Sequence, residues 1–176
     1  EVDPAKAADL LADVPPFVTA TLVTMPDSAE RAVDLVRTIG PDAIQLHGEW
    51  TPDELRFIRA ETERKVLLAV DADDPVRAEE VDGVADALVV DSTDDAGAGG
   101  TGETHDWEAT GELASRLRTP VVLAGGLTAD TVAEAVRVAD PFAVDVASGV
   151  ELTDGRKDHN AVARFVANAG REMELV

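Results

Sequence analysis

The sequence predicts an α/β fold in which a parallel sheet is covered by helices, and three observations predict it. Apolar, β-branched runs such as 120–124 and 143–146 alternate with segments of helical spacing along the chain. These runs are continuous rather than period-two, as expected of strands buried on both faces. Their C-terminal ends turn polar or glycine-rich: Gln45 and His47, Asp71, Asp91, Gly125-Gly126, then Asp145 and Ser148.

Taken in order, residues 3–14 predict a helix, with Asp3 as cap, Pro4 in the first turn and Ala7, Ala8, Leu11 and Ala12 at helical spacing. Pro15-Pro16 ends it, and the Val- and Thr-rich run 17–24 predicts a strand. Asp27 with Glu30 reads as a capping box for a helix whose buried face is Ala29, Ala32, Val33, Val36 and Ile39. A short strand at 42–48 precedes Thr51-Pro52-Asp53-Glu54, where cap, N1 proline and N3 glutamate all stand in place. The pattern repeats with a strand at 65–70, a helix opened by Asp74-Pro75 and a strand at 86–92. A glycine-rich loop at 93–104 leads to a helix from Asp106-Trp107 to about Arg118. A strand at 121–124, a helix at 128–138, a strand at 143–146 and a helix at 158–169 complete six strands and seven helices.

Strict alternation leaves two architectures, an open doubly wound sheet and a (β/α)8 barrel. No Gly-x-Gly-x-x-Gly follows the first strand, which weighs against the dinucleotide-binding sheet. Polar residues on nearly every strand end fit the ringed active-site face of a barrel, of which about six of eight βα units are present in one domain spanning 1–176. Adjacent strand ends carrying Gly125-Gly126 and Ser148-Gly149 offer bare amides to a phosphate, because glycine permits close approach.

Composition narrows the partners. With 36 acidic and 15 basic residues, a net charge of −21 repels nucleic acid and anionic membranes. The regular apolar segments speak against disorder, so the acidity reads as a surface adapted to high salt, in a cytoplasmic protein. There is no cysteine, and no histidine–carboxylate cluster has metal-ligand spacing, so neither a thiolate site nor a metal is expected. His105 and His159 read as solvated, and Trp50 and Trp107 as packing residues.

Five motifs in fixed order carry a resemblance: Gln45-Leu46-His47-Gly48, Val90-Asp91-Ser92, Gly99-Gly100-Thr101-Gly102 with Asp106-Trp107, Leu123-Ala124-Gly125-Gly126-Leu127, and Asp145-Val146-Ala147-Ser148-Gly149-Val150-Glu151. Together they resemble the phosphoribosylanthranilate isomerases, over essentially the whole chain. The resemblance implies a barrel of the ribulose-phosphate-binding type and an Amadori rearrangement in tryptophan biosynthesis. It implies a phosphorylated aminoaldose as substrate, no cofactor, and a monomer or homodimer. It places the general acid at Asp91, which must be held protonated to act. The phosphate falls on Gly125, Gly126, Ser148 and Gly149; Asp145, Gln45 and His47 line the pocket, and Gly100 and Gly102 belong to a loop beside the acid.

One departure stands out. The family's general base is a cysteine at the end of a first strand, and this sequence has neither that residue nor that segment. The expectation is therefore an N-terminally incomplete barrel, and the absent cysteine speaks against activity of this chain alone. Two alternatives remain: a catalytically dead phosphate-binding fragment, or a neighbouring barrel enzyme such as indole-glycerol-phosphate synthase. The latter needs catalytic lysines at strand ends, whereas Lys6, Lys65 and Lys157 occupy no matching motif.

Overall fold

A computed structural model describes residues 2–91, 106–153 and 155–170. Its elements follow the predicted alternation: α1 (Pro4–Ala12), β1 (Thr21–Thr24), α2 (Ala29–Ile39), β2 (Ala43–Leu46), α3 (Pro52–Thr62), β3 (Lys65–Asp71), α4 (Pro75–Glu80), β4 (Ala87–Asp91), α5 (Trp107–Arg116), β5 (Val121–Leu123), α6 (Val132–Ala139), β6 (Ala143–Val144) and α7 (His159–Ala169). A two-stranded hairpin, β7 (Glu151–Thr153) and β8 (Arg156–Lys157), sits between β6 and α7.

The strand order separates the two candidate architectures. All six main strands are parallel and lie in the order β1-β2-β3-β4-β5-β6, with no reversal. A doubly wound sheet reverses direction at a switch point, whereas a barrel advances one strand at a time. The sheet is an arc of a TIM-barrel-like fold, and right-handed crossovers that all step the same way put the helices on one face. Among the described residues β1 pairs only with β2, and β6 only with β5.

Strand register sorts the side chains. Ile44, Leu46, Val66, Leu68, Val70, Leu88, Val90, Val121 and Leu123 are buried, most of them packed with Val33, Val36, Leu55, Ile58 and Leu113 of the helices. The alternate residues face the other way: Gln45 and Leu67 are registered together, then Ala69, Val89 and Val122, then Asp71 and Asp91. Apart from the buried Val89, this second face is only partly covered, and it ends in the carboxylates. A smaller core of Leu123, Leu127, Val132, Ala135, Val150, Ala161 and Phe165 joins α6 and α7 to the loops after β5 and β6.

At the opposite, N-terminal edge, aspartates tie neighbouring units together. Asp42 accepts from Ala20 N–H at 2.9 Å, and Asp86 accepts from Val66 N–H at 3.0 Å and Lys65 Nζ at 2.8 Å. Asp82 accepts from the Arg118 and Thr119 amides, each at 2.9 Å. Burial pushes the Asp86 carboxyl up, but Lys65, the Val66 amide and Arg59 outweigh it and hold the group below its usual value. Asp82 is lowered in the same way, its burial outweighed by bonds from Thr119 and Arg118. A carboxyl lowered on folding stabilises above its unfolded pKa of about 4 and loses that contribution as pH falls through the folded value. Asp86→Asn is thus expected to cost about 1–3 kcal/mol at neutral pH. In denaturant titrations the gap from the parent should narrow as pH falls below the ordinary carboxylate value of about 4; a constant gap would remove this linkage.

Several local boundaries differ from the sequence expectations. Ser28, not Asp27, caps α2: its backbone is extended and its hydroxyl accepts from Arg31 N–H at 3.2 Å, so Glu30 only favours the helix dipole. The strand expected at 17–24 begins at Thr21, because Phe17 is exposed at a left-handed φ of 73° and Val18 closes a turn onto Pro15. The helix expected at 128–138 begins at Val132; Thr128 instead forms a turn with Thr131, whose hydroxyl accepts the Thr128 N–H at 3.0 Å. The Thr51 capping box forms as predicted.

Candidate active site

The sequential strand order brings the polar strand ends onto one edge. Gln45 and His47 come from the end of β2, Asp71 from β3, Asp91 from β4, Gly125-Gly126 from the loop after β5, and Asp145 from the residue after β6. Because β4 pairs with β5 through Val90 and Leu123, the Asp91 strand end and the first glycine loop are neighbours. Ala124 N–H continues that ladder by donating to Val90 O at 2.8 Å.

Asp91 and His47 line one cavity of about 200 Å³, together with Gly48, Asp71, Asp74 and Arg77. Asp91 is half-buried, and its registered partner on β3 is Asp71, so two carboxylates stand side by side on adjacent strands. Gln45 Nε2 and His47 Nε2 are 3.2 Å apart. With the amide nitrogen donating, the neutral His47 ring carries its proton on Nδ1. Trp50 Nε1 donates to His47 O at 3.0 Å, and Arg77 donates to Trp50 O, so the turn after β2 is tied to α4. Trp50 is buried, as a packing residue should be, and its indole N–H fixes the His47 turn as well.

The second half of the site is backbone. Gly125 and Gly126 have φ of 82° and 62°, a succession that side-chain-bearing residues rarely adopt. Ser148–Val150 forms a 3-10 turn after β6. A Cβ placed on Gly149 would stand 1.8 Å from Leu127 O, so the two glycine-bearing loops touch through backbone. Asp145 is exposed; its N–H donates to Leu123 O at 2.9 Å. Gly100, Gly102 and His105 lie outside the described residues, while His159 is exposed at the start of α7.

Sequence reasoning passed over the hairpin β7–β8 and its Lys157. The dipeptide Asp154-Gly155 is a hairpin-turn signal that could have revealed it. Arg77 and Asp74 also reach the cavity unannounced, since only packing of α4 against the end of β3 brings them there.

A family model described as N-(5'phosphoribosyl)anthranilate (PRA) isomerase matches residues 1–168. The chain belongs to the phosphoribosylanthranilate isomerase family. Among its relatives, the N-(5'-phosphoribosyl)anthranilate isomerase of Halorubrum lacusprofundi is 89% identical over 175 residues, covering 99% of this chain and 82% of the relative. That of Haloferax volcanii is 54% identical over 169 residues, covering 96% and 76%. The crystal structure of the Thermotoga maritima phosphoribosyl anthranilate isomerase superposes with a TM-score of 0.85 at 33% identity, covering 96% of this chain and 80% of that one. A phosphoribosylanthranilate isomerase in complex with reduced 1-(o-carboxyphenylamino)-1-deoxyribulose 5-phosphate superposes at 0.81 with 31% identity, covering 96% and 79%.

Membership of this isomerase family of tryptophan biosynthesis, the barrel-like fold and the high-salt relatives agree with the sequence expectations. The expectation against activity, drawn from the missing cysteine, is not borne out: the relative sharing 89% of its residues is a named isomerase of this family. Among the described residues no helix is long and apolar enough to cross a membrane.

Proposed function

We propose that the C-terminal edge of this sheet isomerises N-(5'-phosphoribosyl)anthranilate to the 1-deoxyribulose phosphate, with Asp91 as the general acid. The observation that carries this is the adjacency of a half-buried carboxyl at the end of β4 to the glycine loop after β5. Asp91 would give its proton to the ribose ring oxygen, so that the C1–O bond breaks and the sugar opens to a Schiff base. Loss of the C2 proton to a base then gives an enamine, which becomes the aminoketose. The base is assigned to no residue of this chain.

The phosphate rests on the amides around Gly125-Gly126 and Ser148-Gly149, with no metal or cofactor required. His47, bonded to Gln45, lines the pocket beside Asp91, and Asp145 is a further candidate from the same sheet edge, after β6. The chain acts as one domain, as a monomer or homodimer, in a salt-rich cytoplasm that its acidic surface suits. Loss of substrate fluorescence in high salt, followed with purified protein of verified intact mass, tests the proposal. Turnover inhibited competitively by the reduced product analogue supports it; absence of turnover at any salt concentration overturns it.

A further inference from the structure

The hairpin β7–β8 follows the Ser148–Val150 turn directly, and one side chain on it reaches back to that turn. Lys157 Nζ donates to Ala147 O at 2.8 Å and to Glu151 Oε1 at 2.6 Å. The other Glu151 oxygen accepts from Gly155 N–H at 3.0 Å, which closes the hairpin. The Glu151 side chain is 17% exposed, and Lys157 holds its carboxyl below the usual value. Asp158 N–H donates to Val150 O at 2.8 Å, so the hairpin is fastened to the turn at its base as well.

The carbonyl that Lys157 engages and the N–H of Ser148 belong to one peptide group. That peptide is trans, so its N–H points away from its C=O, and a cation on the oxygen leaves the N–H aimed at the opposite side. We propose that Lys157 is a positioning residue for the substrate phosphate, acting through the Ala147–Ser148 peptide. This rests on the phosphate assignment made above. The ammonium prevents the peptide from flipping and polarises it, making the Ser148 amide a stronger donor to an anion. Glu151 neutralises the Lys157 charge, so the contribution is orientational rather than a long-range attraction. It should therefore persist in high salt, where a long-range attraction would be screened.

The test compares the parent, Lys157→Met, Lys157→Arg and Glu151→Gln by KM, kcat and competitive inhibition by inorganic phosphate, at low and high salt. Lys157→Met is expected to raise KM and the phosphate inhibition constant by about tenfold while kcat stays within about twofold. Lys157→Arg, which can still donate to carbonyl and carboxylate, should recover most of the loss, and the ratio should hold across salt. Glu151→Gln should show a smaller rise. Unchanged KM and phosphate inhibition in Lys157→Met would overturn the proposal, as would a loss confined to kcat, which signifies general damage. If phosphate fails to compete even in the parent, the phosphate assignment falls and this inference falls with it. If it competes equally in parent and Lys157→Met, only the inference falls.

Discussion

Asp91→Asn is expected to lower kcat for isomerisation by roughly a thousandfold, within the range spanned by general-acid catalysis, while leaving phosphate binding close to that of the parent. The substitution keeps the size and the half-buried seat at the end of β4 and removes only the acidic proton. Ring opening needs that proton at the sugar oxygen as the C1–O bond breaks, and the amide cannot supply it. On the phosphate assignment proposed above, phosphate inhibition reads the glycine loops, which follow β5 and β6 rather than β4. The two readouts therefore separate chemistry from binding. Near-normal turnover in this variant would remove Asp91 from the role of acid.

Gly149→Ala is expected to act on folding and binding together. Gly149 does not have a left-handed φ, so its need for glycine is not conformational. The added methyl would meet Leu127 O at 1.8 Å and Leu127 C at 2.9 Å, and both atoms are backbone that cannot swing aside. Either loop must move, at a cost of about 3 kcal/mol, the upper part of the range for overpacking. In a domain of this size that lowers Tm by roughly 6–12 °C. Because Leu127 follows Gly125-Gly126, the displacement should also weaken phosphate inhibition. Gly40→Ala, at the C-terminal cap of α2, is the control: nothing lies within 4 Å of its added Cβ, and only its φ of 77° is unfavourable. It should cost about 1–2 kcal/mol and leave phosphate inhibition unchanged. Equal behaviour of the two variants would contradict the loop-to-loop contact.

The sequence by itself determined the elements and which polar and glycine residues end the strands. Buried strands announce themselves as β-branched runs, and Thr51-Pro52-Asp53-Glu54 specifies its helix start through bonds within one turn. Asp91 and the paired glycines were legible for the same reason: a polar or bare residue ending an apolar run is a local signal. Short-range choices between two good candidates were not legible. Asp27 and Ser28 both suit a cap, and Ser28 takes the role where Ala29 opens the buried face of α2. Phe17 belongs to a β-rich run, yet β1 starts only where Thr21 finds Ala43 to pair with.

The tertiary structure supplied the strand order, in agreement with the barrel that the polar strand ends and the motif resemblance favoured; local periodicity does not encode it, because both architectures use the same βαβ units. It also decided which residues meet. Asp71 stands beside Asp91 through sheet register, Gly149 packs on Leu127 across a helix and a strand, and Lys157 reaches Ala147 from a hairpin. Each contact joins residues ten or more positions apart in sequence, a separation that only the folded chain closes.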